Sequence, residues 1–382
     1  EFVADNVIKQ QLSDNADPEQ CAKELCELAL QNGSGDNVSC QVFCIDELSD
    51  PKPDEVYARL TALPFPPELY EGVILDGYRV LRELHASSTS QLYLAIDTQT
   101  QQKVVLKTPS VNFEDDPAYL ERFQLEEWIG RRIDNAHVVR IVEQQRPRRF
   151  LYYVMEYVAG KTLQQKLDDE GPLSLSEVRQ ILPQLISGLR AFHRLDMLHQ
   201  DLKPGNVLLS DEGVVKIIDF GSTRIAGIAD VASPIERKKL LGTKEFTAPE
   251  YLLGEQAGVQ ADQFSLGSII YQLLSGQLPY GKRFEKHINR QQLSRLNYKS
   301  LTLVTNDIPV WVDKAIEKSV QLNPQRRYEA LSELQTDLLK PNPAFLQTEF
   351  VPLIERHPVR FWQTLAVLSL LFNLLLLYQL LG

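Results

Sequence analysis

Positive charge is in deficit along this 382-residue sequence: 40 Lys and Arg stand against 51 Asp and Glu, a formal net charge of −11. The deficit is local. Residues 1–76 hold 16 acids and 4 bases, and the remainder is close to neutral. A near-neutral body lacks the basic footprint of a nucleic-acid binder, so no nucleic-acid partner is expected. Cysteine is absent after position 44, and Cys21, Cys26, Cys40 and Cys44 match no Cys-x-x-Cys spacing. A disulfide framework is thereby excluded over most of the chain. A zinc site remains the alternative to reduced cysteines packed as small apolar side chains. Long apolar runs are also missing until 361–381. The first residue is Glu1 rather than methionine, so the sequence is expected to be a piece of a longer product. At this length two or three structural units are expected.

Against these absences stands one dense stretch. His199-Gln200-Asp201-Leu202-Lys203-Pro204-Gly205-Asn206 is followed after a short gap by Asp219-Phe220-Gly221. Between them, Val207-Leu208-Leu209 and Val214-Val215-Lys216-Ile217-Ile218 flank a turn at Asp211-Glu212-Gly213. The pattern predicts a hairpin with an acid-bearing loop at each end. Phosphoryl transfer needs such parts: an acid to orient the attacking hydroxyl, and an amide with a second acid to hold a divalent metal on the nucleotide. The stretch resembles the catalytic and metal-binding loops of protein kinases. The resemblance implies that Asp201 is the catalytic base and that Lys203 neutralises the transferred phosphoryl group. It makes Asn206 and Asp219 the ligands of Mg²⁺, with Mn²⁺ as a substitute. Lysine two residues after the acid, and Thr243 in Gly242-Thr243-Lys244, resemble the serine/threonine branch. Gln200 stands where many kinases carry an arginine that pairs with a phosphorylated activation segment (222–247 here), which implies activity independent of that modification.

The resemblance extends upstream. Tyr78-Arg79-Val80-Leu81 and Gln91-Leu92-Tyr93-Leu94-Ala95-Ile96 predict a hairpin. In kinases it carries a G-x-G-x-x-G loop over the ATP phosphates. Aligned on Leu84 and Leu92, those three positions are His85, Ser87 and Ser90, so the loop is expected to grip phosphate less well. The resemblance places Leu84, Leu92 and Val105 around the adenine slot, with Val105 narrowing it. Lys107 would hold the α- and β-phosphates, and Glu126 in the helix predicted over 117–133 would be its ion-pair partner. Glu127 is the adjacent alternative. The apolar strand 150–158 resembles the hinge between lobes, with Met155 at the back wall and Glu156-Tyr157 along the connection. Further on, an amphipathic helix is predicted over 175–195. Glu250 is expected to pair with Arg327, and Asp262-Gln263-Phe264-Ser265-Leu266-Gly267 resembles the helix that anchors the catalytic loop.

Two outlying pieces complete the reading. In 1–48, a helix over 18–30, an Asn32-Gly33-Ser34-Gly35 turn, Asp36-Asn37 and a strand over 38–45 resemble the end of the metal-dependent serine/threonine protein phosphatases. Asp36 matches a metal ligand of that family, but the motifs that supply the other ligands are absent. One carboxylate builds no two-metal site, so this remnant is expected to be inactive. Residues 49–75, rich in proline and acid, read as a linker. In the tail, 341–360 is juxtamembrane and 361–381 is long enough for one transmembrane helix. Arg356, His357 and Arg360 flank it on the side the positive-inside rule assigns to the cytoplasm.

The expected fold is α+β: a bilobal kinase-like body at 76–340, an α/β phosphatase fragment before it and a membrane helix after it. The expected function is transfer of the ATP γ-phosphate to Ser or Thr hydroxyls of protein substrates. The protein would sit in a membrane, a bacterial inner membrane by the resemblance, as a single-pass anchor with the kinase cytoplasmic. A membrane-anchored pseudokinase scaffold and a phosphatase regulatory subunit are the alternatives.

Overall fold

The computed structural model describes residues 2–14, 17–35, 37–44, 63–113, 116–144, 146–225, 245–281, 289–293, 295–305 and 307–346, with Trp362, Gln363, Leu365, Ala366 and Ser369. Asp36, Thr243 and most of 361–381 lie outside them. The chain divides into two compact units, Glu1–Arg59 and Leu60–Gly382.

The first unit has two helices, α1 (Asp5–Asp14) and α2 (Pro18–Gln31). Asp17 caps α2 by accepting from the Glu19 N–H, with proline at the first helical position, as helix starts favour. Cys21, Leu25 and Ala29, four apart, form its buried face. Leu28, beside that face, is only half buried. None of the four cysteines is in a disulfide, and among the described residues no three His, Cys, Asp or Glu side chains gather as a metal site would require. The strand expected over 38–45 does not appear at 38–44. A strand must pair its backbone groups, and the described residues of this unit supply no second strand. Phe43 is left 82 % exposed.

The second unit has the expected two-lobed α+β architecture. Its N-terminal lobe is one antiparallel sheet ordered β1-β2-β3-β4-β5, from β1 (Ile74–Leu75), β2 (Tyr78–Ala86), β3 (Ser90–Asp97), β4 (Lys103–Pro109) and β5 (Tyr153–Glu156). Helix α3 (Pro117–Gly130) crosses between β4 and β5 in sequence. Period-two alternation sorts the side chains. Tyr78, Val80, Tyr93, Ala95, Val104, Leu106, Tyr152 and Val154 cluster as one core. Val105, Lys107, Tyr153 and Met155 fall on the opposite face. Leu69 and Leu75 complete that core, which corrects the linker reading: the end of 49–75 covers the sheet. Prolines do not prevent this. A proline lacks only a donor, and the Pro64 carbonyl accepts from the Leu151 N–H at 2.8 Å.

The C-terminal lobe is helical. Helices α4 (Leu163–Glu170) and α5 (Leu175–His193) each begin with a capping box, Thr162 with Gln165 and Ser174 with Glu177. The small sheet β6-β8-β9 (Gly160–Thr162, Val207–Ser210, Val215–Ile217) contains the expected hairpin, with β8 antiparallel to β9. Strand β7 (Met197–Leu198) pairs with β10 (Arg224–Ile225). After α6 (Pro249–Leu252), helix α7 (Val259–Ser275) is buried on nearly all sides, as a central core helix must be. Helices α8 (Arg290–Leu293) and α9 (Val310–Ser319) pack against it, α10 (Leu331–Leu339) packs on α5 and α9, and α11 (Pro343–Leu346) packs on α9. The Arg327 guanidinium meets Glu250 in a buried two-point ion pair at 2.7 and 2.8 Å. Among the described residues no helix is long and apolar enough to cross a membrane.

Candidate active site

The site lies where the two lobes meet, and its centre is a cluster of three charges. Lys107 on β4 donates to both Glu126 carboxylate oxygens, at 2.7 and 2.9 Å, and to Asp219 Oδ1 at 3.3 Å. Of the two adjacent acids on α3, Glu126 takes the lysine. Glu127 faces away and accepts from Arg131 at 2.7 Å and Arg148 at 2.8 Å. Helical geometry separates them, since consecutive residues point about 100° apart. Lys107 and Glu126 are both buried, whereas the Asp219 side chain is about half exposed, at 47 %.

Burial disfavours each charge, and the neighbours decide the outcome. For Lys107, burial works against the ammonium, but the charges of Asp219 and Glu126 outweigh it and raise its pKa. The Lys107 charge holds Asp219 well below the usual carboxylate range. Burial pushes Glu126 up to about 7, because one lysine serves two acids.

Two glycines let these parts approach. A Cβ on Gly130 would lie 2.7 Å from the Phe220 ring and 2.4 Å from Ile141 Cγ1. A Cβ on Gly221 would lie 3.0 Å from Glu126 Oε2. The Asp219-Phe220-Gly221 loop therefore packs under α3, with Phe220 buried against Phe192.

The second acid-bearing loop is fixed from below. Asp262 on α7, fully buried, accepts from the backbone N–H of His199 at 3.0 Å and of Gln200 at 3.1 Å, and bonds the His193 ring at 2.9 Å. Gln200 and Asp219 both hold left-handed backbone, with φ of 67° and 63°, which non-glycine residues adopt only when their surroundings enforce it. Lys203 Nζ lies 2.8 Å from Asp201 Oδ2. Asn206 Nδ2 donates to the Asp201 carbonyl at 2.8 Å and to Oδ2 at 3.1 Å. Asp201, Lys203 and Asn206 thus form one constellation, and Lys107, Glu126 and Asp219 another. Because the Asn206 amide nitrogen is committed to Asp201, its oxygen is the atom left to act as a ligand. An amide oxygen and a half-exposed carboxylate suit Mg²⁺, which takes one or two protein oxygens and completes its shell with phosphate and water.

Strand register places the residues that the resemblance assigned to the adenine slot. Val105 sits opposite Leu94 on one side and Met155 on the other, both it and Met155 buried. Leu92 pairs with Lys107, and Leu84 is the extra residue of a β-bulge between Glu83 and His85; both leucines are half buried. Glu156 engages one carboxylate oxygen within the protein. Its carboxylate bonds Lys216 at 2.6 Å and the Arg140 N–H at 2.9 Å, and its own N–H donates to the Arg140 carbonyl. The Tyr157 ring is covered by Lys103, 5.8 Å from its centroid. Sequence reasoning missed the rear support of α3 by Arg148, which also donates to the Tyr152 carbonyl at 2.6 Å. No motif marks that contact, since the two residues meet only in the folded sheet.

The two-lobed fold thus brings a buried Lys–Glu pair to two acid-bearing loops. The chain belongs to the protein kinase domain family, whose profile matches residues 78–339. The serine/threonine-protein kinase PknL of Mycobacterium tuberculosis is 30 % identical over 269 residues, covering 70 % of this chain and 66 % of that one. The serine/threonine-protein kinase PrkC of Bacillus subtilis is 27 % identical over 265 residues, covering 69 % of this chain and 40 % of that protein. The chain therefore spans just under two thirds of the first relative and less than half of the second. A crystal structure of the M. tuberculosis PknI kinase domain superposes with a TM-score of 0.55 at 23 % identity, covering 71 % of this chain and 98 % of that domain.

Proposed function

We propose that this protein is a serine/threonine protein kinase that transfers the γ-phosphoryl group of ATP to hydroxyl groups of protein substrates. The observation that supports it most is the buried Lys107–Glu126 pair joined to Asp219, a charge arrangement that a folded protein has no structural need to keep. Lys107, held by Glu126, would bind the α- and β-phosphates. Asp219 and the Asn206 oxygen would hold Mg²⁺, or Mn²⁺ in its place, which supplies neutralisation of the charge on the phosphates. Asp201 would orient the substrate hydroxyl and receive its proton as the new P–O bond forms and the bond to ADP breaks. Lys203, already at the Asp201 carboxylate, would meet the negative charge of the moving group. Leu84, Leu92, Val105 and Met155 would enclose the adenine, with main-chain groups at Glu156 and Tyr157 beside its edge.

The test is autophosphorylation and transfer to a generic Ser/Thr substrate with labelled ATP and Mg²⁺. Asp201→Asn should lower turnover by several orders of magnitude and leave nucleotide binding intact. Equal transfer by both proteins would remove Asp201 from this role. A second reading has one observation of its own: the turn over the nucleotide carries serines where glycines are expected, and Ser87 Oγ occupies the turn's own N–H groups. A pseudokinase scaffold would show neither metal-dependent transfer nor a thermal shift with nucleotide.

The flanking segments belong to the same proposal. Residues 1–48 are read as an inactive remnant of a metal-dependent phosphatase, 341–360 as a juxtamembrane segment, and 361–381 as a single-pass anchor in a bacterial inner membrane with the kinase cytoplasmic. The apolar run and the Arg356, His357 and Arg360 flank support the anchor. Removing 361–382 should move the protein from the carbonate-washed membrane fraction to the supernatant. Equal distribution of both forms would eliminate the anchor.

A further inference from the structure

The turn between β2 and β3 is closed on itself. The Ser87 N–H donates to the Ser90 carbonyl at 2.9 Å. Ser87 Oγ accepts from the Ser90 N–H at 3.0 Å and the Thr89 N–H at 3.2 Å. None of the residues 85–90 has positive φ. A serine cap thus builds a turn for which tight hairpins otherwise use left-handed glycine. Three of the N–H groups that a glycine loop would offer to phosphate, those of Ser87, Thr89 and Ser90, are already committed.

This closed turn is fastened to helix α3. The Thr89 carbonyl accepts from the Ser110 N–H at 3.1 Å, just past the end of β4, and from the Tyr119 hydroxyl. That hydroxyl also accepts from the Ser110 N–H at 3.1 Å. Tyr119 has little freedom to turn away. It is buried, its ring stacks on Phe113 at 4.8 Å, and its N–H donates to the capping Asp116. Burial raises the Tyr119 phenol to about 12, so it stays a donor at neutral pH. Tyr119 and Glu126 are seven residues apart, two turns of one helix, and share a face.

We propose that Tyr119 is a positioning residue that ties the phosphate-covering turn to α3, so that one helix sets both the turn and the Lys107–Glu126 pair. This rests on the kinase reading of the site. An outward movement of α3 would release the turn and the lysine together, and the turn would act on the nucleotide by being held closed rather than through the N–H groups of Ser87, Thr89 and Ser90.

The test uses full-length Tyr119→Phe, which keeps the ring and removes only the hydroxyl. Hydrogen exchange should quicken severalfold at Thr89, Ser90 and Ser110 and stay unchanged in α5. The KM for ATP should rise roughly three- to tenfold, the equivalent of one lost hydrogen bond, with kcat within about twofold. Unchanged exchange at those three amides overturns the proposal. So does faster exchange in α5 as well, which would make Tyr119 a support of the fold at large, and so does an unchanged KM. If the wild type transfers no phosphate, the kinase reading fails, and the exchange measurement alone decides whether Tyr119 holds the turn.

Discussion

At the scale of single residues, burial and charge decide what each group can do. Asp76 precedes β2 with a φ of 44° and has its carboxylate buried. Burial alone would raise its pKa, but the Arg149 N–H and guanidinium and the Tyr152 hydroxyl outweigh it and lower the pKa. A lowered pKa gives stability that is present above the unfolded value, near 3.9, and is lost as pH falls below it. Asp76→Asn should therefore cost about 1.5–3 kcal/mol at pH 7, the range for hydrogen bonds to a charge. Thermal melts from pH 7 to pH 3 should show the gap between variant and wild type closing at the acid end. A gap that stays constant would mean the charge is irrelevant. In the second unit the larger prediction is at Arg327. Arg327→Ala strands the buried Glu250 carboxylate and should cost about 3–5 kcal/mol, read as a lower midpoint in denaturant.

At the scale of elements, close approach governs. Helix α3 reaches Phe220 only because Gly130 has no side chain, so Gly130→Ala should push the helix and the Asp219 loop apart. The expected cost is about 1–3 kcal/mol from overpacking, with a greater loss of phosphotransfer than of melting temperature. Retained activity would mean the ring simply shifts. The sequence was most informative at this scale where a signal is local. The hairpin around Asp211-Glu212-Gly213 and the course of α5 could be read from spacing and turn chemistry, whereas the Glu250–Arg327 pair, 77 residues apart, was implied only by the kinase resemblance. It was weaker where partners are distant. The alternation at 38–44 reads as a strand, but among the described residues nothing nearby pairs with it. The end of 49–75 looked like a linker because prolines obscure Leu69 and Leu75, whose place depends on a core built from five strands. Between Glu126 and Glu127 no local pattern chooses, because the choice depends on which side of α3 the sheet lies. The serines at 87 and 90 read as a loss of glycine, whereas folded the Ser87 side chain caps the backbone of Thr89 and Ser90.

At the scale of the whole molecule, the lobes divide the work between a sheet that carries Lys107 and a helical body that carries Asp201. The body's central helix does more than fill space, because the Asp262 carboxylate on α7 holds the backbone N–H groups of His199 and Gln200. Loops ordinarily exchange their amide hydrogens through small local openings, while core helices exchange only when much of the protein opens. His199 and Gln200 belong to a loop by chain geometry but to α7 by bonding. Their amides should exchange as slowly as those of Phe264 and Leu266 and respond as steeply to denaturant. Fast, denaturant-independent exchange at those two positions would show that the loop opens alone. If they do keep the helix's rate, the chemistry has no melting temperature of its own. The protein would then lose its catalytic geometry only when it loses its core, and gentle warming would slow nothing until the whole C-terminal lobe gave way.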